Sequence, residues 1–288
     1  MSTDQLKKND VALIGIRSDA NSSYMRGTAA APAIIRQALH CESANLCSEL
    51  GIDLRDNPQF VDIGDRQIAS DTESFLAIET HIDELIGSGA LPLVLGGDHA
   101  ITYPVMRAIN KANGPVNILH FDAHPDLYED FEGNPYSHAS PFARIMEKGL
   151  AKRLVQVGIR TLNGHQREQV ERFGVECHEM KDVDLLSIGG DFDGPVYISC
   201  DMDALDPAYA PGVSHHEPAG LSVRDILGII QRIPNRIVGA DIVEYNPERD
   251  INDMTAMVAA KLLKEIVGKM LLNCDMRQGS DPGSGNNG

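Results

Sequence analysis

Eight short apolar runs recur along the chain, at residues 11–15, 60–63, 91–95, 116–121, 154–158, 175–178, 195–199 and 237–243. Most are continuous rather than alternating, which predicts strands buried on both faces, as in a parallel sheet. Between them lie segments of helical period at 32–39, 72–87, 103–112, 141–148, 164–173, 223–232 and 255–272. In the last of these, Met257, Val258, Leu262, Ile266 and Met270 form an apolar stripe. Strand and helix alternate from end to end, and no repeat or long linker interrupts them. The pattern predicts one α/β domain over residues 1–277. Only residues 278–288, QGSDPGSGNNG, have the composition of a disordered tail.

Charge and cysteine usage narrow the partners. The 288 residues carry 25 Lys and Arg against 42 Asp and Glu, a net charge of −17. That field repels phosphate backbones and anionic lipid, so neither nucleic acid nor a membrane surface is expected as a partner. A small cation is not repelled. No apolar run approaches the roughly 20 residues of a membrane span, and the first ten residues lack the apolar core of a signal peptide. The five cysteines (Cys41, Cys47, Cys177, Cys200 and Cys274) are scattered, without a CxxC pair. An odd, dispersed set fits a reducing compartment and predicts a cytoplasmic protein without a disulfide framework.

Three of the predicted strands end in acidic and histidine clusters: Leu95-Gly96-Gly97-Asp98-His99, His120-Phe121-Asp122-Ala123-His124-Pro125-Asp126 and Ser199-Cys200-Asp201-Met202-Asp203-Ala204-Leu205-Asp206-Pro207. A lone GGDH is usually a turn and a single DxD a solvated loop. Three together, each directly after a buried-type strand, are hard to explain as scaffold. Ligands of open parallel sheets bind beyond the carboxyl ends of the strands. Side by side, these ends would gather several carboxylates, whose burial is prohibitive unless cations neutralise them. Asp122, Asp126, Asp201 and Asp203 contribute −4, which two divalent ions would balance. With imidazoles added, the donors are oxygen-rich and free of thiolate, a set that suits Mn²⁺ better than a structural zinc. In the DxHxD segment, Asp122 and Asp126 can bracket His124, while Asp201 can bridge and Asp203 chelate one ion.

These motifs, read as GGDHA, DAHPD and SCDMDALDPAYAPG, resemble the three signatures of the ureohydrolases, the arginase and agmatinase family. The likeness runs from Val11 to about Lys269. It is strongest toward the plant-arginase subgroup, through HFDAHPDLYEDFEGNPYSHASPFARIME, APGVSHHEPAGLSVRD and VGADIVEYNPERDINDMTAMVAAKLLKE. The resemblance implies a three-layer α/β/α sandwich around a mostly parallel sheet of about eight strands. It also implies two Mn²⁺ ions sharing Asp122 and Asp201, one completed by His99 and Asp126 and the other by His124 and Asp203. By the same resemblance His138 takes the place of a proton-shuttle histidine, and Glu244 that of the carboxylate that holds the substrate guanidinium. Trimers or hexamers are implied as the assembly. The implied reaction is release of urea from a guanidino compound: L-arginine by the plant-like motifs, with agmatine or another guanidino or formimino compound as the alternative.

Selection among those substrates rests on their far end. Asn134, Ser137 and Asn163 could hydrogen-bond a carboxylate there, whereas Glu129, Asp130 and Glu132 would favour an ammonium. His215 and His216 stand in the loop after the third motif, where many family members carry Gly-Thr-Gly-Thr-Pro. They could alter substrate fit or serve at an interface. A related deacetylase branch with one zinc, and a catalytically silent metal-binding subunit, are the rival readings. Neither accounts for an intact set of His99, Asp126 and Asp203.

Overall fold

The computed structural model describes residues 5–68 and 73–278, the side chains of 275–278 excepted. In chain order the strands are β1 (Val11–Arg17), β2 (Phe60–Gln67), β3 (Leu91–Leu95), β4 (Val116–Phe121), β5 (Ala151–Ile159), β6 (Glu176–Glu179), β7 (Val196–Asp201) and β8 (Ile237–Val243). The helices are α1 (Ala31–Leu39), α2 (Ser74–Gly87), α3 (Thr102–Asn113), α4 (Pro141–Glu147), α5 (Gly164–Phe173), α6 (Val223–Arg232) and α7 (Met254–Gln278). All strands join one sheet in the order β2-β1-β3-β8-β7-β4-β5-β6, and every pairing is parallel.

The continuous runs are continuous because both faces of the sheet are covered. On β1, Val11 and Leu13 enter one core and Ala12, Ile14 and Ile16 the other. The first core is closed by α1, α6 and α7, the second by α2, α3 and α4. This is a three-layer α/β/α sandwich. Among the described residues no helix is long and apolar enough to cross a membrane.

Several elements run beyond their expected bounds, among them β1, β5 and β7; β2 and α7 show why. β2 continues past Ile63 to Gln67. Gly64, at φ 78°, adds a residue to the strand, so that Leu13 pairs with Asp62 but Gly15 with Asp65. The two carboxylates are held by Arg36 of α1. α7 reaches Gln278, the first residue of the expected tail; residues 279–288 lie outside the described residues, as does Thr72 at the expected start of α2. The start of α7 is fixed by Asp250, which accepts hydrogen bonds from the N–H groups of Thr255 (2.9 Å) and Ala256 (3.0 Å).

The order of the strands positions the chemistry. Between β3 and β4 the chain skips two places, and β8 and β7 later fill the gap. β3, β8, β7 and β4 are therefore neighbours, and their carboxyl ends open into one crevice.

Candidate metal centre

Glycine lets β3 leave the sheet between its neighbours. A Cβ on Gly97 would stand 1.8 Å from the Ser18 carbonyl oxygen, so no other residue passes there. The Gly97 carbonyl accepts from Glu244 N–H at 2.8 Å, and Asp98 N–H donates to Ser18 O at 3.0 Å. The exit of β3 is thus tied to those of β1 and β8, and His99 follows at the start of a short 3-10 turn into α3. Asp98 is fully buried beneath it and accepts from Asn21 N–H at 2.8 Å. Burial first, then the nearby Glu244 charge, pushes its carboxyl up to about 7.

His99 supplies the decisive geometry. Its ring is completely buried, and Nδ1 lies 3.3 Å from Asp122 Oδ2, 3.1 Å from Asp126 Oδ2 and 3.1 Å from Asp201 Oδ2. None of the three makes a properly aligned hydrogen bond to it. The other ring nitrogen fixes the tautomer. Ser199 Oγ gives its only hydrogen to Asp241 Oδ1 at 2.7 Å, so toward His99 Nε2, at 3.0 Å, it can only accept. Asp241 in turn accepts from Tyr197 and Thr102 hydroxyls at 2.7 and 2.8 Å. With Nε2–H given to Ser199, Nδ1 is the nitrogen that faces the point where three carboxylate oxygens converge. Burial acts to lower the His99 pKa, and the carboxylates Asp122, Asp126 and Asp201 outweigh it and raise it well above its ordinary value. The point draws a positive charge, and a divalent cation taking the place of the Nδ1 proton would meet four ligand atoms at once. The residues fit a metal.

A second group adjoins the first. His124 Nδ1 stands 3.3 Å from Asp122 Oδ1 and 3.1 Å from Asp203 Oδ2. His124 N–H donates to Asp122 Oδ1 at 2.6 Å, and Asp203 N–H to Asp201 Oδ1 at 2.8 Å. Asp126 sits in the left-handed region, φ 52°, which turns its carboxylate back toward His99. Asp122 thus reaches both groups, one oxygen to each. The carboxylates divide under mutual repulsion: burial first, then Asp203 and Asp122, pushes Asp201 well above its ordinary value. Asp122 goes well below despite burial, held down by the surrounding histidines.

His120, which opens the second strand-end cluster but stands outside the expected ligand set, lies within reach of the first group. Its two ring nitrogens are already committed. Nε2 meets Asp122 Oδ2 at 2.9 Å and Nδ1 meets Gln156 Nε2 at 3.1 Å. Because the Gln156 amide donates, Nδ1 accepts and Nε2–H donates to Asp122. His120 orients the carboxylate and lies stacked on Phe142, ring centroids 3.9 Å apart. The signal was in the sequence, since residues 120 and 122 share a side of an extended segment. His120→Ala is expected to weaken Mn²⁺ binding about 10- to 100-fold, as read by titration calorimetry. Unchanged affinity in a folded variant would deny His120 that role.

Glu244, directly after β8, shares with Asp126 a positive φ, here 61°. Its Oε1 accepts from His99 N–H at 2.9 Å and pairs with His138 Nδ1 at 2.8 Å. His138 Nε2 meets Ser23 Oγ at 2.8 Å, a contact with no signal in the sequence. Burial acts to lower the His138 pKa. The adjacent Glu244 charge outweighs it, with help from Asp126 and Asp98, and the value rises to about 9.

A cavity of about 270 Å³ opens over these groups. His124, Asp126, His138, Asp201, Asp203 and Glu244 line it, with Ser23, Tyr128, Phe131, Thr161, Gln166 and His215 completing the wall. Asn134 and Ser137, expected at the substrate, do not line it. Asn134 donates to Asn21 Oδ1 at 3.2 Å and accepts from Tyr136 N–H at 2.9 Å, and Ser137 Oγ accepts from Ala139 N–H at 3.3 Å. Asn134 thus ties its loop to the segment after β1, and Ser137 shapes the turn that follows it. Asn163 caps α5 and donates to Tyr128 OH. The two loop histidines part company: His215 faces the cavity, whereas His216 bonds the Pro211 carbonyl at 2.7 Å.

Comparison with known proteins gives this geometry a lineage. A family model described as the arginase family matches residues 9–268. The Medicago truncatula protein named "Arginase, mitochondrial" is 50% identical over 276 residues, 90% of this chain and 81% of the relative. "Arginase 2, chloroplastic/mitochondrial" of Arabidopsis thaliana is 49% identical over 280 residues, covering 91% and 81%. The solved arginase from Medicago truncatula superposes with a TM-score of 0.86 at 48% identity, covering 91% of this chain and 87% of that one. The organelle names overturn the cytoplasmic expectation and point to an organelle. Free thiols report a reducing environment, not which compartment supplies it.

Proposed function

The chain belongs to the arginase family, and from that premise we propose that it hydrolyses L-arginine to ornithine and urea with two Mn²⁺ ions per subunit. The observation that carries the metal chemistry is His99 Nδ1 directed at three carboxylate oxygens. The choice of arginine is supported by relatives of that name at about half identity. Metal ligands in this reading are His99, Asp122, His124, Asp126, Asp201 and Asp203, with Asp122 and Asp201 shared. Exposed apolar side chains such as Ile251 and Met254 are consistent with a homo-oligomer, trimeric or hexameric, which sedimentation would measure.

When bound, the ions balance the four carboxylate charges and lower the pKa of water toward neutrality, making a nucleophile available. The chain's own residues do the rest. Glu244 keeps Oε1 on His99 and His138 and presents Oε2 to the planar guanidinium, orienting its carbon toward the metal groups. As the C–O bond forms and a C–N bond breaks, the leaving amine needs a proton. His138 holds one at neutral pH beside Glu244 and is placed on the cavity wall to deliver it. The balance is guanidinium plus water giving urea plus an ammonium.

Urea release from L-arginine, agmatine and guanidinobutyrate after Mn²⁺ loading tests the reading. Arginine is expected to be preferred. A strong preference for agmatine would overturn the substrate, and no urea from any of the three would overturn the reaction.

A further inference from the structure

The polar side chains of the cavity wall are nearly all engaged within the fold. Thr161 Oγ1 donates to Ala123 O and Gln166 Oε1 accepts from Leu127 N–H. His215 differs: its ring nitrogens have no hydrogen-bond partner among the described residues. Yet its backbone is firmly placed. Gly212 N–H donates to Thr255 Oγ1 at 2.7 Å, and Gly212 O accepts from Asn246 N–H at 2.8 Å. Ser214 Oγ accepts from Asn246 Nδ2 at 2.9 Å and donates to Met25 O at 3.2 Å. Asn246, two residues beyond Glu244, thereby clasps the His215 loop to the segment that carries Ser23. The His215 ring is left 5.7 Å from that of His124 and 5.5 Å from that of His138, with Tyr24 5.6 Å away.

We infer that His215 is a specificity-determining residue, its imidazole accepting a hydrogen bond from a cationic N–H of the substrate in this cavity. The inference rests on the guanidino-hydrolase reading. A polar group held in place without an internal partner loses its water when a ligand fills the cavity, unless the ligand bonds it. Near neutral pH an ordinary imidazole is mostly uncharged and keeps one acceptor nitrogen, and a guanidinium offers donors only. Ser23 and His138 already bond each other, and Glu244 commits Oε1 to His99 and His138 and keeps Oε2 for the guanidinium, so His215 adds a further acceptor beside that carboxylate.

Steady-state kinetics on the Mn²⁺-loaded enzyme test the assignment. His215→Ala and His215→Phe are expected to raise KM for L-arginine about 10-fold or more, with kcat much less affected. His215→Asn, which restores an acceptor, should recover part of the loss, and His216→Ala should leave KM unchanged. A merely structural role would instead lower the thermal midpoint and kcat in all three His215 variants. Unchanged KM in His215→Ala and His215→Phe would overturn the inference, as would an asparagine variant no better than phenylalanine. Should the wild type hydrolyse no guanidino compound, the hydrolase reading falls. Calorimetry of L-arginine with the loaded wild type and His215→Ala then judges the contact alone: weaker binding by the variant supports it, and equal or absent binding by both overturns it.

Discussion

Asp122→Ala is expected to strip the protein of manganese and of turnover together. Asp122 is the residue whose two oxygens face different histidines, Oδ2 toward His99 and Oδ1 toward His124. It is also the anchor for the His120 side chain and the His124 N–H. Alanine would remove a carboxylate common to both metal groups and leave the buried His120 Nε2–H without an acceptor. The loss in kcat/KM is expected to be about 1000-fold or more, since about 4 kcal/mol of transition-state stabilisation goes with the ions. Metal analysis of the purified variant gives the second readout. Asp122→Asn, which keeps the shape and the acceptor for His124 N–H, guards against misfolding and is expected to lose metal as well. A variant with both ions and full turnover would remove Asp122 from the centre.

Glu244→Gln should separate binding of metal from catalysis. The amide preserves an oxygen for His99 N–H, so the turn after β3 survives and the manganese content is expected to stay at the wild-type level. What disappears is the charge that faces the guanidinium, and kcat/KM is expected to fall about 100- to 1000-fold, the cost of truncating one partner of a buried charge pair. A second readout follows from His138. The Glu244 charge raises the His138 pKa against the effect of burial, so its removal lowers that pKa. Activity that depends on protonated His138 is present below its pKa and lost above it. The alkaline limb of the pH–rate profile therefore shifts to lower pH in the variant. Full turnover, or an unshifted limb with activity intact, would take from Glu244 the role given to it.

Much of this site could be read before any coordinates were known, for a reason visible in particular residues. Asp122 and Asp201 stand at the junction of a buried apolar run and a loop, where carboxylates are too costly to keep without a purpose. The hydrogen-bonded shell was harder to see. Ser199 and Tyr197 sit inside an apolar run and pass for ordinary strand residues, although their hydroxyls both meet Asp241. Asn134 and Ser137 have the right chemistry for a substrate carboxylate, but they lie off the cavity wall, Asn134 bonded to Asn21 and to Tyr136 N–H and Ser137 to Ala139 N–H.

The sequence by itself determined the alternating α/β architecture and marked the acidic and histidine clusters proposed to hold metal, because burial periodicity and the expense of buried charge are both written residue by residue. Strand order was decided only in three dimensions. Placing β8 and β7 between β3 and β4 converts separate motifs into one centre, and no local preference encodes that gap. The aim of single side chains was likewise settled there. His215 and His216 are identical and adjacent, and one enters the cavity while the other bonds a carbonyl. The direction of a loop side chain follows from backbone dihedrals and from distant clasps such as Asn246, and those exist only once the chain has folded.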